Sequence, residues 1–315
     1  MPDELIAVSS LVETTSFDLQ LPSGSVRAYR LGSPGAPAVV CVPGLDANAR
    51  SFDLVGAALA RRGRQVITLD LRGRGASPAT APGTYGWVKH AKDVLAVATQ
   101  LGIDTFDLAG HSMGALVSMQ AAVLAPERVR RLVAIDTAGP MQLLAMPSVA
   151  AGSLRLLPFV YPSPGAYFAG MHAMGIVEPW EDLWKRAFAY ELEGFLGLVR
   201  PRTSFRAVAE DFVYNLVHTG TSLWARLRLP TILVRGTRRL PPFGLVVGAK
   251  VRDAFLRSAP SAELAEVDAN HFEILAHPGA LRAIDEFLAR PTGALRDSPG
   301  RPQTADERRA VPVQT

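Results

Sequence analysis

The 315-residue chain carries 33 lysines and arginines against 29 aspartates and glutamates, a formal net charge of +4, with 48% hydrophobic and 20% charged residues. That balance fits a globular protein with a sizeable core and excludes a disordered chain; the cationic excess is scattered arginine with no basic stripe interleaved with aromatics, which argues against a nucleic-acid partner. The single cysteine, Cys41, excludes a disulfide within the chain and sits in an apolar run where a buried strand residue is expected.

Residues 1–10 include Asp3 and Glu4 and lack a basic start followed by an apolar stretch, so no secretory signal is read and a cytoplasmic location is expected. Residues 14–21 alternate loosely, Pro22-Ser23-Gly24 marks a turn, and 25–31 resume an extended pattern, which predicts an antiparallel hairpin at a sheet edge. The nearly continuous apolar run 36–42 reads as a strand buried on both faces. Helices are predicted over 49–62, 86–101 and 113–124, and strands over 65–71, 106–109 and 131–136. This alternation implies βαβ units, hence an α/β fold with a mostly parallel sheet whose ligands lie beyond the carboxyl ends of its strands.

From 137 to about 225 the alternation stops. Residues 138–177 carry Arg155 as their one formal charge and are broken by Pro140, Pro147, Pro158, Pro162 and Pro164, so no run of about 20 helical apolar residues exists and no stable membrane insertion is expected. The following part is helical in pattern and aromatic: Trp180, Trp184 and Phe188 recur every four residues on one predicted helix face, with Tyr190 and Phe195 beyond. An insertion of this size at the site end of the sheet reads as a lid presenting those three aromatics to a substrate; a second small domain with ordinary core aromatics is the alternative. The core pattern returns with strands over 229–234 and 262–267 and helices over 250–258 and 280–289. The expected division is 1–137 and 227–291 for the core, 138–226 for the lid, and 292–315 for a polar, disordered tail.

Chemistry concentrates at Gly110-His111-Ser112-Met113-Gly114, a Gly-x-Ser-x-Gly run between a predicted strand and a predicted helix. A nucleophile elbow needs that order, because the turn is too tight for side chains two residues either side of the serine. A glycine-flanked serine can also simply cap a helix, so the remaining parts decide. A serine hydroxyl needs a base. Of six histidines, His90 falls within a predicted helix, His111 points away in an elbow, His172 and His218 fall in the insertion, and His277 begins a helix, which leaves His271 after the last strand. Candidate oxyanion donors are the backbone N–H groups of Met113 and of Leu45, where Gly44 permits close approach.

With Val42-Pro43-Gly44-Leu45, Asp70-Leu71-Arg72-Gly73-Arg74-Gly75-Ala76-Ser77, the elbow and Asp268-Ala269-Asn270-His271 in this order, the chain resembles the α/β-hydrolase fold superfamily over residues 14–291. The resemblance implies an eight-stranded, mostly parallel sheet flanked by helices, a helical lid after strand six, and a Ser, acid, His triad with no metal or organic cofactor. The chain departs from the family pattern in two places. Pro43 stands where histidine is common, and the loop 236–244 after the seventh strand, which usually holds the acid, has no carboxylate. Asp136, ending the sixth strand, is the leading substitute, because some members, certain haloalkane dehalogenases among them, supply the acid there; Asp268 and Glu178 are the alternatives.

The expected function is a serine hydrolase acting on a small hydrophobic ester or lactone through Ser112, His271 and Asp136, with Leu45 and Met113 at the oxyanion and Trp180, Trp184 and Phe188 around the substrate. The apolar cover motivates the substrate class. Hydrolysis of a carbon–carbon bond in a vinylogous diketone is an alternative for which Arg200, Arg202 or Arg238 would hold a carboxylate. A non-catalytic small-molecule receptor on the same fold is another. The sequence does not fix the oligomeric state.

Overall fold

The computed structural model describes residues 14–140, 156–175, 177, 182–240 and 244–291. The predicted tail at 292–315 lies outside them, as do residues 141–155 of the insertion. In chain order the strands are β1 (Thr14–Leu21), β2 (Gly24–Leu31), β3 (Ala38–Val42), β4 (Gln65–Leu69), β5 (Phe106–His111), β6 (Val129–Ile135), β7 (Leu192–Phe195), β8 (Leu198–Pro201), β9 (Thr231–Gly236) and β10 (Ala262–Val267). Eight of them form one sheet in the order β1-β2-β4-β3-β5-β6-β9-β10, and β7 and β8 form a separate hairpin. β1 with β2 and β2 with β4 are antiparallel; every other pairing in the large sheet is parallel.

All five residues of β3 are buried, which is why no alternation shows in the sequence, yet its side chains do alternate between faces. Val40 and Val42 enter the cluster under helices α2 (Trp87–Gln100), α3 (Met113–Leu124) and α8 (Ala249–Ser258), beside Val94, Met119 and Phe255. Val39 and Cys41 enter the opposite cluster with Val55 of α1 (Asp53–Arg61) and Ile284 of α9 (Pro278–Ala289). Each such valine contributes roughly 1.5–3 kcal/mol by leaving water.

Three predicted boundaries move for physical reasons. The strand expected over 131–136 ends at Ile135, because Asp136 turns out of it with a φ of 46°. The strand expected over 229–234 runs Thr231–Gly236, beginning after Pro230, which has no N–H for a ladder. The helix expected over 49–62 opens as a 3-10 turn, Ala49–Phe52, whose first N–H groups meet the Asn48 side chain and Asp70.

The insertion between β6 and β9 holds α4 (Pro164–Ala173), α5 (Asp182–Tyr190), the β7–β8 hairpin, α6 (Phe205–Val217) and the single turn α7 (Thr221–Trp224). The hairpin was not expected, since helix was read through Phe195. Its turn uses Leu196 and Gly197, both at positive φ, a conformation for which leucine is a poor cue. Tyr167, Met171, Trp184 and Leu192 form a third apolar cluster with Leu54, Leu240 and Val246 of the core, so the insertion is packed onto the sheet domain. No helix among the described residues is long and apolar enough to cross a membrane.

Candidate active site

β5 delivers Ser112 into a turn with φ 56° and ψ −128°, backbone that L residues adopt only where the surroundings enforce it. The enforcement is packing. A Cβ at Gly110 would lie 2.2 Å from the Gly114 carbonyl oxygen, and one at Gly114 would lie 2.1 Å from that of Val42 on the adjacent strand. Both obstacles are backbone, so no rotamer relieves them. Gly114→Ala is therefore expected to cost about 3 kcal/mol or more, read as a lowered unfolding midpoint; an unchanged midpoint would contradict this account of the turn.

The loops after β5, β6 and β10 bring three predicted residues together. His271 Nε2 lies 2.9 Å from Ser112 Oγ, and His271 Nδ1 lies 2.8 Å from Asp136 Oδ2. The second oxygen of Asp136 accepts the Gly236 N–H at 2.9 Å, which fixes the carboxylate from the end of β9. Ser112, Asp136 and Leu196 are the non-glycine residues at positive φ among the described residues, so two of three such positions meet here. Asp268, the sequence neighbour of His271, is 83% exposed and lies 3.9 Å from Arg238 instead. Glu178 lies outside the described residues.

The Gly44 turn comes alongside the serine: a Cβ at Gly44 would stand 3.1 Å from Ser112 Cβ. The N–H groups of Leu45 and Met113 have no protein acceptor among the described residues. Arg74, fully buried, donates from Nε and Nη2 to the Leu45 carbonyl at 2.9 and 2.8 Å and pairs with Asp211 of α6 at 2.7 Å. Asp70 accepts the N–H groups of Ala49 and Ala76 and the hydroxyl of Tyr190 at 2.5 Å. The Asp70–Ser77 loop thus buttresses the Gly44 turn and ties it to the insertion.

His111 lies against the histidine loop. Its ring packs 4.6 Å from that of His271, and Nε2 donates to the His271 carbonyl at 2.7 Å. Burial holds its pKa well below the ordinary histidine value, so it is a neutral donor bracing the histidine loop. On the other side Asn270 accepts from the Phe272 and Glu273 N–H groups at 3.0 and 3.1 Å.

Among the described residues two cavities meet at Ser112 and Leu45. The smaller, about 100 Å³, is lined by His111, His271, Phe272, Tyr167, Trp184, Phe188, Asn48 and Glu191. The larger, about 350 Å³, is lined by Met113, Leu116, Phe212, Asn215, Leu216 and Val247 among others. Trp184 and Phe188 of the predicted aromatic set line the smaller cavity; Trp180 lies outside the described residues. Arg200, Arg202 and Arg238 line neither cavity: Arg200 pairs with Glu193, Arg202 donates to the Leu192 carbonyl, and Arg238 pairs with Glu273.

Sequence reasoning missed Glu191, which lies in a stretch read only as helical. It is 4% exposed, and its oxygens accept Asn48 Nδ2 at 3.0 Å and the Thr203 N–H at 2.7 Å. Burial pushes its carboxyl from 4.5 up to about 7. Between those values the native state holds a proton that the unfolded chain has lost, so this group makes stability fall as pH rises. The stability of Glu191→Gln relative to wild type is therefore expected to increase from about pH 5 to about pH 8 in thermal unfolding; a constant difference would contradict the burial argument.

The profile of a family described as alpha/beta hydrolase fold matches residues 37–191. The chain is 39% identical over 106 residues to the sn-1-specific diacylglycerol lipase ABHD11 of Xenopus laevis, covering 33% of each protein. It is 36% identical over 107 residues to the N-formylmaleamate deformylase of Pseudomonas putida, covering 34% of this chain and 39% of that one. The chain thus matches about a third of the length of these relatives. The crystal structure of E-2-(acetamidomethylene)succinate hydrolase superposes with a TM-score of 0.78 at 23% identity, over 88% of this chain and 100% of that one. An eight-stranded sheet of this order with an elbow after β5, and likenesses in both sequence and structure, lead to one assignment: the chain belongs to the α/β-hydrolase fold superfamily.

Proposed function

We propose that the chain is a serine hydrolase that cleaves esters or lactones with an apolar acyl or ring portion. One observation carries the reading: a continuous hydrogen-bonded line, Asp136 to His271 to Ser112, at 2.8 and 2.9 Å, opens onto largely apolar cavities. In this reading His271 Nε2 takes the Ser112 proton as Oγ attacks the carbonyl carbon, and Asp136 holds the imidazole in the tautomer with its proton on Nδ1 and stabilises the imidazolium. The N–H groups of Leu45 and Met113 receive the oxyanion, with Arg74 fixing the Leu45 peptide. His271 then returns its proton to the leaving oxygen, and water releases the acyl group by the same steps in reverse order. The insertion serves as a lid, with Trp184 and Phe188 against the substrate.

The names of the relatives support the hydrolytic reading, since a lipase and a deformylase both transfer an acyl group to water. Carbon–carbon hydrolysis is less supported, because none of the three candidate arginines lines a cavity at Ser112. A receptor role does not require the hydrogen-bonded line at all. Hydrolysis rates across esters of graded acyl length, lactones and a ring-fission diketone test the proposal. Saturable turnover of apolar esters or lactones is expected; turnover of the diketone alone, or binding without turnover, would replace it.

A further inference from the structure

Two cavities at one nucleophile raise the question of which half of the substrate each receives. The base decides. The proton that His271 takes from Ser112 must be handed to the departing oxygen, so the leaving half lies on the side where His271 stands. His271, His111 and Phe272 line the small cavity; the large one includes Ser112, Leu45 and Met113 but not His271. The acyl half therefore extends into the 350 Å³ apolar cavity under α6, and the leaving half into the 100 Å³ cavity under α4 and α5.

The lining of that small cavity is largely apolar; beside the Ser112 and His271 groups it includes Asn48 and Glu191, together with Asp46. Glu191 is held by neutral donors, the Asn48 amide and the Thr203 N–H, with the Thr203 hydroxyl also acting on it, which leaves part of a carboxylate's roughly four acceptor positions unfilled. The local field is negative: Asp70 adds to the charge felt at Glu191, and Glu191 and Asp46 both act on the Tyr167 hydroxyl, which stays protonated. A carboxylate in such a place favours whatever brings it a further donor. We propose that Glu191, presented with Asn48, is the recognition group for a hydrogen-bond donor on the leaving half, so that the substrates are esters whose alcohol carries a second hydroxyl or an ammonium group. This inference rests on the serine hydrolase reading above.

Matched butyrate esters test it. The 2-hydroxyethyl and n-propyl esters differ in little but the terminal donor, and a protonated 2-(dimethylamino)ethyl ester separates ammonium from hydroxyl. Wild-type kcat/KM is expected to favour at least one donor-bearing ester over the propyl ester by about 10- to 100-fold, and Glu191→Gln to reduce that ratio to within about 3-fold. A role of Glu191 confined to holding β7 and β8 in place would lower all three rates together and leave the ratio intact. An intact ratio in Glu191→Gln, or no donor preference in wild type, overturns the proposal. A second arm moves the hydroxyl to the acyl end, as in n-propyl 4-hydroxybutyrate. A preference there that depends on Glu191 overturns the assignment of the two halves. Turnover of the propyl ester that survives undiminished in Ser112→Ala refutes the hydrolase reading itself, whatever the ratios.

Discussion

Ser112→Ala is expected to lower ester turnover by about 10⁵- to 10⁶-fold and to abolish labelling by a fluorophosphonate, while the protein keeps its fold. The fold survives because Oγ does little for packing: its partner is His271 Nε2, and the strained backbone at φ 56° is enforced by Gly110 and Gly114 rather than by the serine side chain. The rate falls that far because alanine removes the atom that forms the covalent bond, and only oxyanion stabilisation and substrate binding remain. Equal labelling of wild type and variant would remove Ser112 from the mechanism.

Asp136→Asn is expected to cost about 10⁴-fold in turnover with KM little changed. The amide fits where the carboxylate sat. Asparagine tolerates the left-handed φ of 46°, and its oxygen can keep the bond from the Gly236 N–H. What then faces His271 Nδ1 is an NH₂ group, a donor that drives the imidazole proton to Nε2 and leaves Ser112 no acceptor. Near-normal turnover in this variant, with the unfolding midpoint preserved, would take Asp136 out of the role proposed for it. Asp268 gains little from such a result, being solvent-exposed and turned to Arg238.

The sheet was legible because its strands are short, apolar and separated by amphipathic helices, so period and length agreed on one architecture. The elbow was legible for a different reason: Gly110 and Gly114 are dictated by backbone contacts below 2.5 Å, which no other residue satisfies. Asp136 could be named only through the resemblance, since nothing local distinguishes it from any aspartate ending a strand; its φ and its two bonds come from β9 and β10, a hundred or more residues away. Glu191 was invisible for the same reason, because its partners Asn48 and Thr203 belong to a loop of the core and to the chain beyond the hairpin. Arg74 stood in a quoted motif, yet its hold on the Leu45 carbonyl depends on two loops that meet only when β3 and β4 pair. Local pattern reports what a residue does to its own element, and these residues act across elements.

The most direct test of the central claim is peptide mapping of the protein after stoichiometric reaction with a fluorophosphonate, with residual ester turnover measured on the same sample. One adduct per chain, on Ser112, with turnover lost in proportion to its occupancy is the expected result. An adduct on another residue, or full turnover in protein fully modified at Ser112, would contradict it.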